Sequence, residues 1–302
     1  MNSSIVRRVS LPLALTAALA GLTACNSSDT SGSSGKDDKA VHRAATHVSP
    51  IAALRSAERS TDGADSAKVE STTSMGTLMD MKADGVMGWS HGLTGTMTIT
   101  YTGGTLADTM RRAGSTTMQA RYLSDAYYAR MSDTFARQAG GKHWIRYGYD
   151  DLARFGGSSG AYLKDQMRNT TPNQSVKLLL ASGDVREVGP ETVRGRRTTH
   201  YSGTVDVSDL AARSSHLSAG QLADLKKQLT AAGVSTEKVD IWVDGDDLLV
   251  KKVEKGELTS GTMTSTAYYS DYGTKVPAQK PPAADTADFR DLLKRQGGAT
   301  EG

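Results

Sequence analysis

Apolar side chains fall at every second position through much of this chain, the period of a half-buried strand. In residues 95–101, Met97, Ile99 and Tyr101 share one face while Thr96, Thr98 and Thr100 share the other. Met118, Ala120 and Tyr122 alternate with Gln119 and Arg121, and Tyr127, Ala129 and Met131 alternate with Tyr128 and Arg130. Between these runs Ser124-Asp125 suits a hairpin tip. Residues 68–75 and 86–89 read as earlier strands, and 142–149 continues the meander. Strands return at 185–188 and 198–207, with Arg194-Gly195-Arg196 as the intervening turn. A hairpin follows, 238–243 against 248–253, in which Asp244-Gly245 is expected to supply the positive φ angles of a tight turn. The last strand is 261–270. Strands joined this closely in sequence make an antiparallel sheet that is dry on one face and wet on the other.

Helical period breaks in at several places. Ser49-Pro50 caps a short helix carrying Ile51 and Leu54. Asp150-Asp151 opens one that passes Leu152 and Phe155, and Tyr162, Leu163 and Met167 form an apolar stripe that Pro172 is expected to end. Val176–Leu180 is a further patch. A longer helix is predicted over 218–232, with Leu222, Leu225 and Leu229 in register and Gly233 beyond its end. After Pro277, Pro281 and Pro282 comes a brief amphipathic turn around Phe289, Leu292 and Leu293. The predicted class is α+β, a curved antiparallel sheet turned toward helices.

The first 25 residues have another logic. Arg7-Arg8 precedes an apolar run from Val9 to Leu22, and Leu22-Thr23-Ala24-Cys25 follows. At roughly 14 residues the run is too short to span about 30 Å of hydrocarbon, and the plan is that of an export signal. Arg7-Arg8 leaves a twin-arginine route open beside the general one. Loss of residues 1–24 removes two arginines and no acid, so 36 basic side chains become 34 against 33 acidic, a net charge near +1. That balance lacks the basic footprint of a nucleic-acid binder. Cys25 is the single cysteine, so no disulfide is available to an exported chain that would permit one. Residues 26–49 are small and polar, without apolar period, and read as a tether with a reach of about 25 to 30 Å. The chain divides into a signal (1–24), a lipidated N-terminus with tether (25–49), one domain (50–282) and a C-terminal tail (283–302).

Catalytic motifs occur only in the wrong surroundings. Gly156-Gly157-Ser158-Ser159-Gly160 matches a nucleophile elbow literally, yet no buried strand precedes it. Ser235-Thr236-Glu237-Lys238 leads into a strand instead of opening a helix. Asp244, Asp246 and Asp247 lack the spaced oxygens and closing glutamate of a calcium loop. His91, His143, His200 and His216 show no ligand spacing, and no metal or cofactor is expected. The prominent compositional feature is softness, 11 methionines against three phenylalanines. Methionine is flexible and polarizable, and a wall rich in it adapts to irregular apolar ligands. So many methionines on strands, where β-branched residues would be preferred, suggest an apolar cavity facing the helices.

The order of signal, strands and helices, with residues 189–205, Ile241-Trp242-Val243-Asp244 and Tyr268-Tyr269-Ser270-Asp271-Tyr272-Gly273, resembles the actinobacterial LppX/LprG-type lipoproteins. These are relatives of the LolA carrier and of the sensory domain of RseB. Leu22–Cys25 resembles the lipobox, in which Cys25 is diacylated and becomes the mature N-terminus. The resemblance covers about 68–282 and implies an antiparallel half-barrel over helices, holding acyl chains of a lipid or lipoglycan between the layers. It implies no catalytic residues. On this reading the chain is not an enzyme. It is anchored by lipid on the extracytoplasmic face of the cell membrane, and Met97, Ile99, Tyr101, Met118, Tyr122, Tyr127, Met131, Phe155, Leu163 and Met167 line the cavity. The alternative is a regulator of the RseB kind, acting on a membrane-protein partner.

Overall fold

The computed structural model describes residues 49–155, 164, 171–206, 223, 235–258 and 261–298. Cys25, Leu163, Met167, the Gly156–Gly160 motif and, but for residue 223, the helix expected over 218–232 lie outside them.

Two meanders build one sheet. The first comprises β1 (Ser66–Met75), β2 (Met79–Gly88), β3 (Thr94–Gly103), β4 (Thr117–Tyr122), β5 (Ala126–Arg130) and β6 (Trp144–Gly148). The second comprises β7 (Arg186–Val193), β8 (Arg196–Asp206), β9 (Thr236–Asp244), β10 (Leu249–Leu258) and β11 (Gly261–Ser270). Within each meander neighbours in sequence are antiparallel neighbours in space, and β1 pairs with β11 from Lys68↔Ser270 to Met75↔Met263 to fuse the two. A last strand, β12 (Thr286–Asp288), lies parallel to β6 and makes the sheet a mixed one of 12 strands, open and curved.

The helices that join the two main apolar clusters pack on one face, the inner face. Helix α1 (Pro50–Gly63) starts as expected: Ser49 Oγ accepts the Ala52 amide at 3.2 Å, and proline occupies the first turn. Its buried residues, Leu54, Ala57 and Thr61, recur at helical spacing. Pro172 begins a helix: α5 (Pro172–Ala181) carries it at its N-terminus, where the missing amide hydrogen costs nothing, while the stripe it was expected to end lies outside the described residues. Ahead of α5 come α2 (Gly104–Arg112), α3 (Asp133–Gln138) and α4 (Tyr149–Phe155). Neither α2 nor α3 was expected. The start of α2 is set by Gly104 at φ 78°, where a Cβ would sit 2.6 Å from the Leu78 carbonyl.

The sequence reading needs four further corrections. Strand β2 begins at Met79, seven residues before the strand expected at 86. The tip of the β9–β10 hairpin places its positive φ on Asp247 (59°), not on Asp244-Gly245, because the Asp244 carboxylate accepts the amides of Asp246 and Leu248, each at 3.0 Å, and shapes a longer loop. The C-terminal segment is β12 followed by α6 (Phe289–Gly298), not a brief turn. Finally, the outer face of β4–β6 is not wet. Tyr128, Leu123, Ala126 and Trp144 are buried there with Ala278 packed on them, as Arg121 stacks on Trp144 and donates to the Gln279 carbonyl at 2.9 Å.

Candidate functional site

Antiparallel register decides which side chains share the inner face, because directly paired residues point the same way. On the first meander the rows read Met81↔Tyr101, Ala83↔Ile99↔Met118 and Gly85↔Met97↔Ala120↔Ala129. The result is a buried cluster of 13 residues of which six are methionine: Met79, Met81, Met87, Met97, Met110 and Met118. Helix α2 contributes Ala107 and Met110. Two reciprocal pairs explain how unbranched side chains fit. In Gly85↔Met97 and Met87↔Gly95 each sulfur lies over the glycine opposite, 2.9 and 2.7 Å from where a Cβ would stand.

Of the ten residues expected to line a cavity, Met97, Ile99, Tyr101 and Met118 belong to this buried cluster, and the half-buried Tyr122, Tyr127 and Met131 pack against it. Tyr122, Tyr127, Tyr147 and Phe289 continue as a chain of tilted rings, with successive centroids 5.1, 5.8 and 4.8 Å apart. Desolvation pushes the phenols of Tyr101 and Tyr122 up to about 12. Phe155 ends α4.

The second meander presents a different inner face. Leu54 and Ala57 of α1 and Val176, Leu178 and Leu179 of α5 pack against Tyr201, Val239, Ile241 and Leu249, and this 15-residue cluster contains no methionine. Its helices and sheet interlock closely: a Cβ on Gly203 of β8 would meet the Leu179 side chain at 2.7 Å.

Between the two clusters lies a polar seam absent from the sequence reading. Ser71 and Thr73 of β1 face Ala267 and Ser265 of β11, which face Lys252 and Glu254 of β10. Lys252 Nζ reaches both carboxylate oxygens of Glu254 at 2.9 and 3.0 Å and Ser175 Oγ of α5 at 2.9 Å, while Ser175 donates to Glu254 at 2.6 Å. Burial is the largest influence on Lys252 and opposes its charge, but Glu254, Tyr269 and Glu237 together outweigh it and hold the ammonium protonated, so Lys252 donates to Ser175 and does not take its proton. Glu237 of β9 is 1% exposed, and neither of its carboxyl oxygens has a hydrogen-bond partner among the described residues. Burial first, and Glu254 second, push this carboxyl up to about 8 against the opposing pull of Lys252. A signal for the seam was present: Glu237 has the parity of Val239 and Ile241, which places it indoors. For Lys252 and Glu254 the signal was broken by the β10 irregularity between Leu249 and Lys251.

Among the described residues no group of three or more His, Cys, Asp or Glu side chains is arranged to hold a metal, and no helix is long and apolar enough to cross a membrane.

Comparison with known proteins gives relatives of two kinds. No family model matches the chain. Among solved structures, lipoprotein LppX of Mycobacterium tuberculosis matches 76% of this chain and 98% of its own at 17% identity and a TM-score of 0.46. LprF of Mycobacterium bovis matches 78% and 97% at 15% identity, with the same TM-score. Sequence relatives are nearer. A 31.2 kDa protein of Streptomyces griseus encoded between rplA and rplJ is 59% identical over 256 residues, 84% of each chain. A Streptomyces coelicolor protein named as a lipoprotein is 52% identical over 310 residues, covering 98% of this chain and 100% of its own. At those identities and coverages, the chain belongs to the family of these Streptomyces proteins, which has a named lipoprotein among its members.

Proposed function

We propose that this protein is a lipid-anchored envelope lipoprotein that binds the acyl chains of a lipid or lipoglycan on its methionine-lined inner face and does not consume them. One observation carries the reading: among the described residues the buried methionines gather on a single stretch of the inner face and on the helix over it, beside a second apolar cluster that has none. A core needing only to be filled has no use for such segregation. A wall that must fit chains of varied length and branching does, since methionine repacks at little cost. Each methylene withdrawn from water contributes about 0.8 kcal/mol, so one long chain supplies ample affinity. Anchoring rests on Leu22-Thr23-Ala24-Cys25 and on membership of a family with a named lipoprotein. Two acyl chains on Cys25 hold firmly where one binds only reversibly, and export by the segment before Cys25 would leave the domain on the extracytoplasmic face of the cell membrane.

The test is displacement of a fluorescent fatty-acyl probe, together with native mass spectrometry of protein purified from its own host. Saturable binding and a co-purifying lipid are expected, and Met118→Trp should abolish both while the protein stays folded. No saturable binding by the wild type would favour regulation of a membrane-protein partner. For the anchor, Cys25→Ala should move the protein from the membrane pellet to the culture supernatant. Retention in the pellet after a high-salt wash would refute it.

A further inference from the structure

The buried carboxyl of Glu237 points to a feature of the ligand beyond its chains. In the register of the sheet Glu237 stands opposite Gly256, Gly256 opposite Met263, Met263 opposite Met75, and Met75 opposite Met79. One row therefore runs from the carboxyl to the methionine wall. Gly256 is buried, and among the described residues a Cβ built on it would meet the Met263 methyl and the Thr236 carbonyl oxygen in ordinary contact at 3.8 Å, with nothing nearer. Room for one methyl-sized group thus adjoins a carboxyl that has no hydrogen-bond partner among the described residues. A carboxyl left so would forfeit about 1–3 kcal/mol of hydrogen bonding. The neighbouring groups cannot make up the loss, because Lys252, Glu254 and Ser175 already satisfy one another.

We infer that Glu237 and the gap over Gly256 form a polar subsite for a neutral hydroxyl on the ligand's head group, at the end of the same row whose methionines take the acyl chain. This rests on the acyl-binding reading and extends it to acyl esters of polyols or sugars. The protonated carboxyl that burial enforces offers one donor and one acceptor, the pair a hydroxyl returns. An ammonium head would have to give up its hydration to reach a site that holds no spare charge.

Competition between two ligands with one chain decides the matter. Monooleoylglycerol and methyl oleate carry the same oleoyl chain, and only the first has hydroxyls. The wild type should take monooleoylglycerol about tenfold more tightly. Glu237→Met should abolish the preference and leave methyl oleate affinity unchanged, while Glu237→Gln, which keeps a donor and an acceptor, should retain most of it. Gly256→Val fills the space without touching the carboxyl and should also abolish the preference, which covers the case of a misfolded Glu237→Met. Equal affinity for the two ligands in the wild type, a preference that survives both Glu237→Met and Gly256→Val, or tighter binding of oleylamine than of monooleoylglycerol would each overturn the subsite and leave acyl binding standing. Failure of both oleoyl ligands to bind would remove the acyl-binding reading and the subsite with it.

Discussion

The inner face carries two apolar cores that differ in material although one sheet supports both. Around α1 and α5 the second meander packs leucine, isoleucine, valine and aromatic side chains with narrow rotamer choice. Around α2 the first meander packs methionines over glycines. The first kind of core gains from close complementarity and loses heavily when a group is deleted. The second tolerates change because its side chains have many conformations of similar energy. Within one domain, then, stability and adaptability occupy separate ground, divided by the seam of Lys252, Glu254 and Glu237.

That division can be tested from its strongest point downward. Removing the positive half of the seam should cost most: Lys252→Met leaves the Glu254 carboxylate buried without its ion pair, and a loss of about 3–5 kcal/mol is expected in urea unfolding. A loss below about 1 kcal/mol would mean that the seam is hydrated and does not divide the cores. Leu179→Ala, at 0% exposure in the aliphatic core, should cost about 2–5 kcal/mol. If Met118→Ala costs as much as Leu179→Ala, the two cores do not differ in kind.

Glu237→Gln sharpens the picture through pH. The folded carboxyl is pushed up to about 8 from 4.5, so between those values the native state holds a proton that the unfolded chain has released. Wild-type stability should therefore fall as pH rises from 4.5 to 8, by a few kcal/mol, and level off above. Lys252 adds nothing in that window, since its raised value acts only above 10.5. Thermal melts of Glu237→Gln should lack this slope, and parallel profiles for variant and wild type would place the titration elsewhere. The smallest effect is expected at the adaptable wall, where Met118→Leu should change stability by under about 1.5 kcal/mol while altering the relative affinities of straight and branched acyl probes.

The strands of both meanders were legible because alternation survives wherever one face is dry. Met97, Ile99 and Tyr101 announced their shared face unaided. The early part of β2 was missed although Met79, Met81 and Ala83 alternate with Asp80, Lys82 and Asp84, the same period that reads β3; only Gly85 leaves an inner position without a side chain. Helix α2 escaped notice because its start depends on the backbone of Gly104 against Leu78, a tertiary contact with no local signature. The covered outer face of β4–β6 was invisible for the same kind of reason: Tyr128 and Trp144 are sheltered by residues more than a hundred positions away.

The pairing of β1 with β11 also governs how the chain reaches this state. Apart from β8 and β9, with residues 207–235 between them, neighbouring strands within each meander are joined by shorter connections, so their pairing asks for less loop closure than the β1–β11 junction. The β1–β11 pairs span roughly 200 residues, a cost that no local contact offsets in advance. Each meander can therefore assemble by itself, and the junction between them is the slow event. Until it forms, both β1 and β11 present a bare edge, and strands in that condition are the ones that pair with the wrong neighbour. The hazard for a newly made chain lies in the interval before its first and eleventh strands meet.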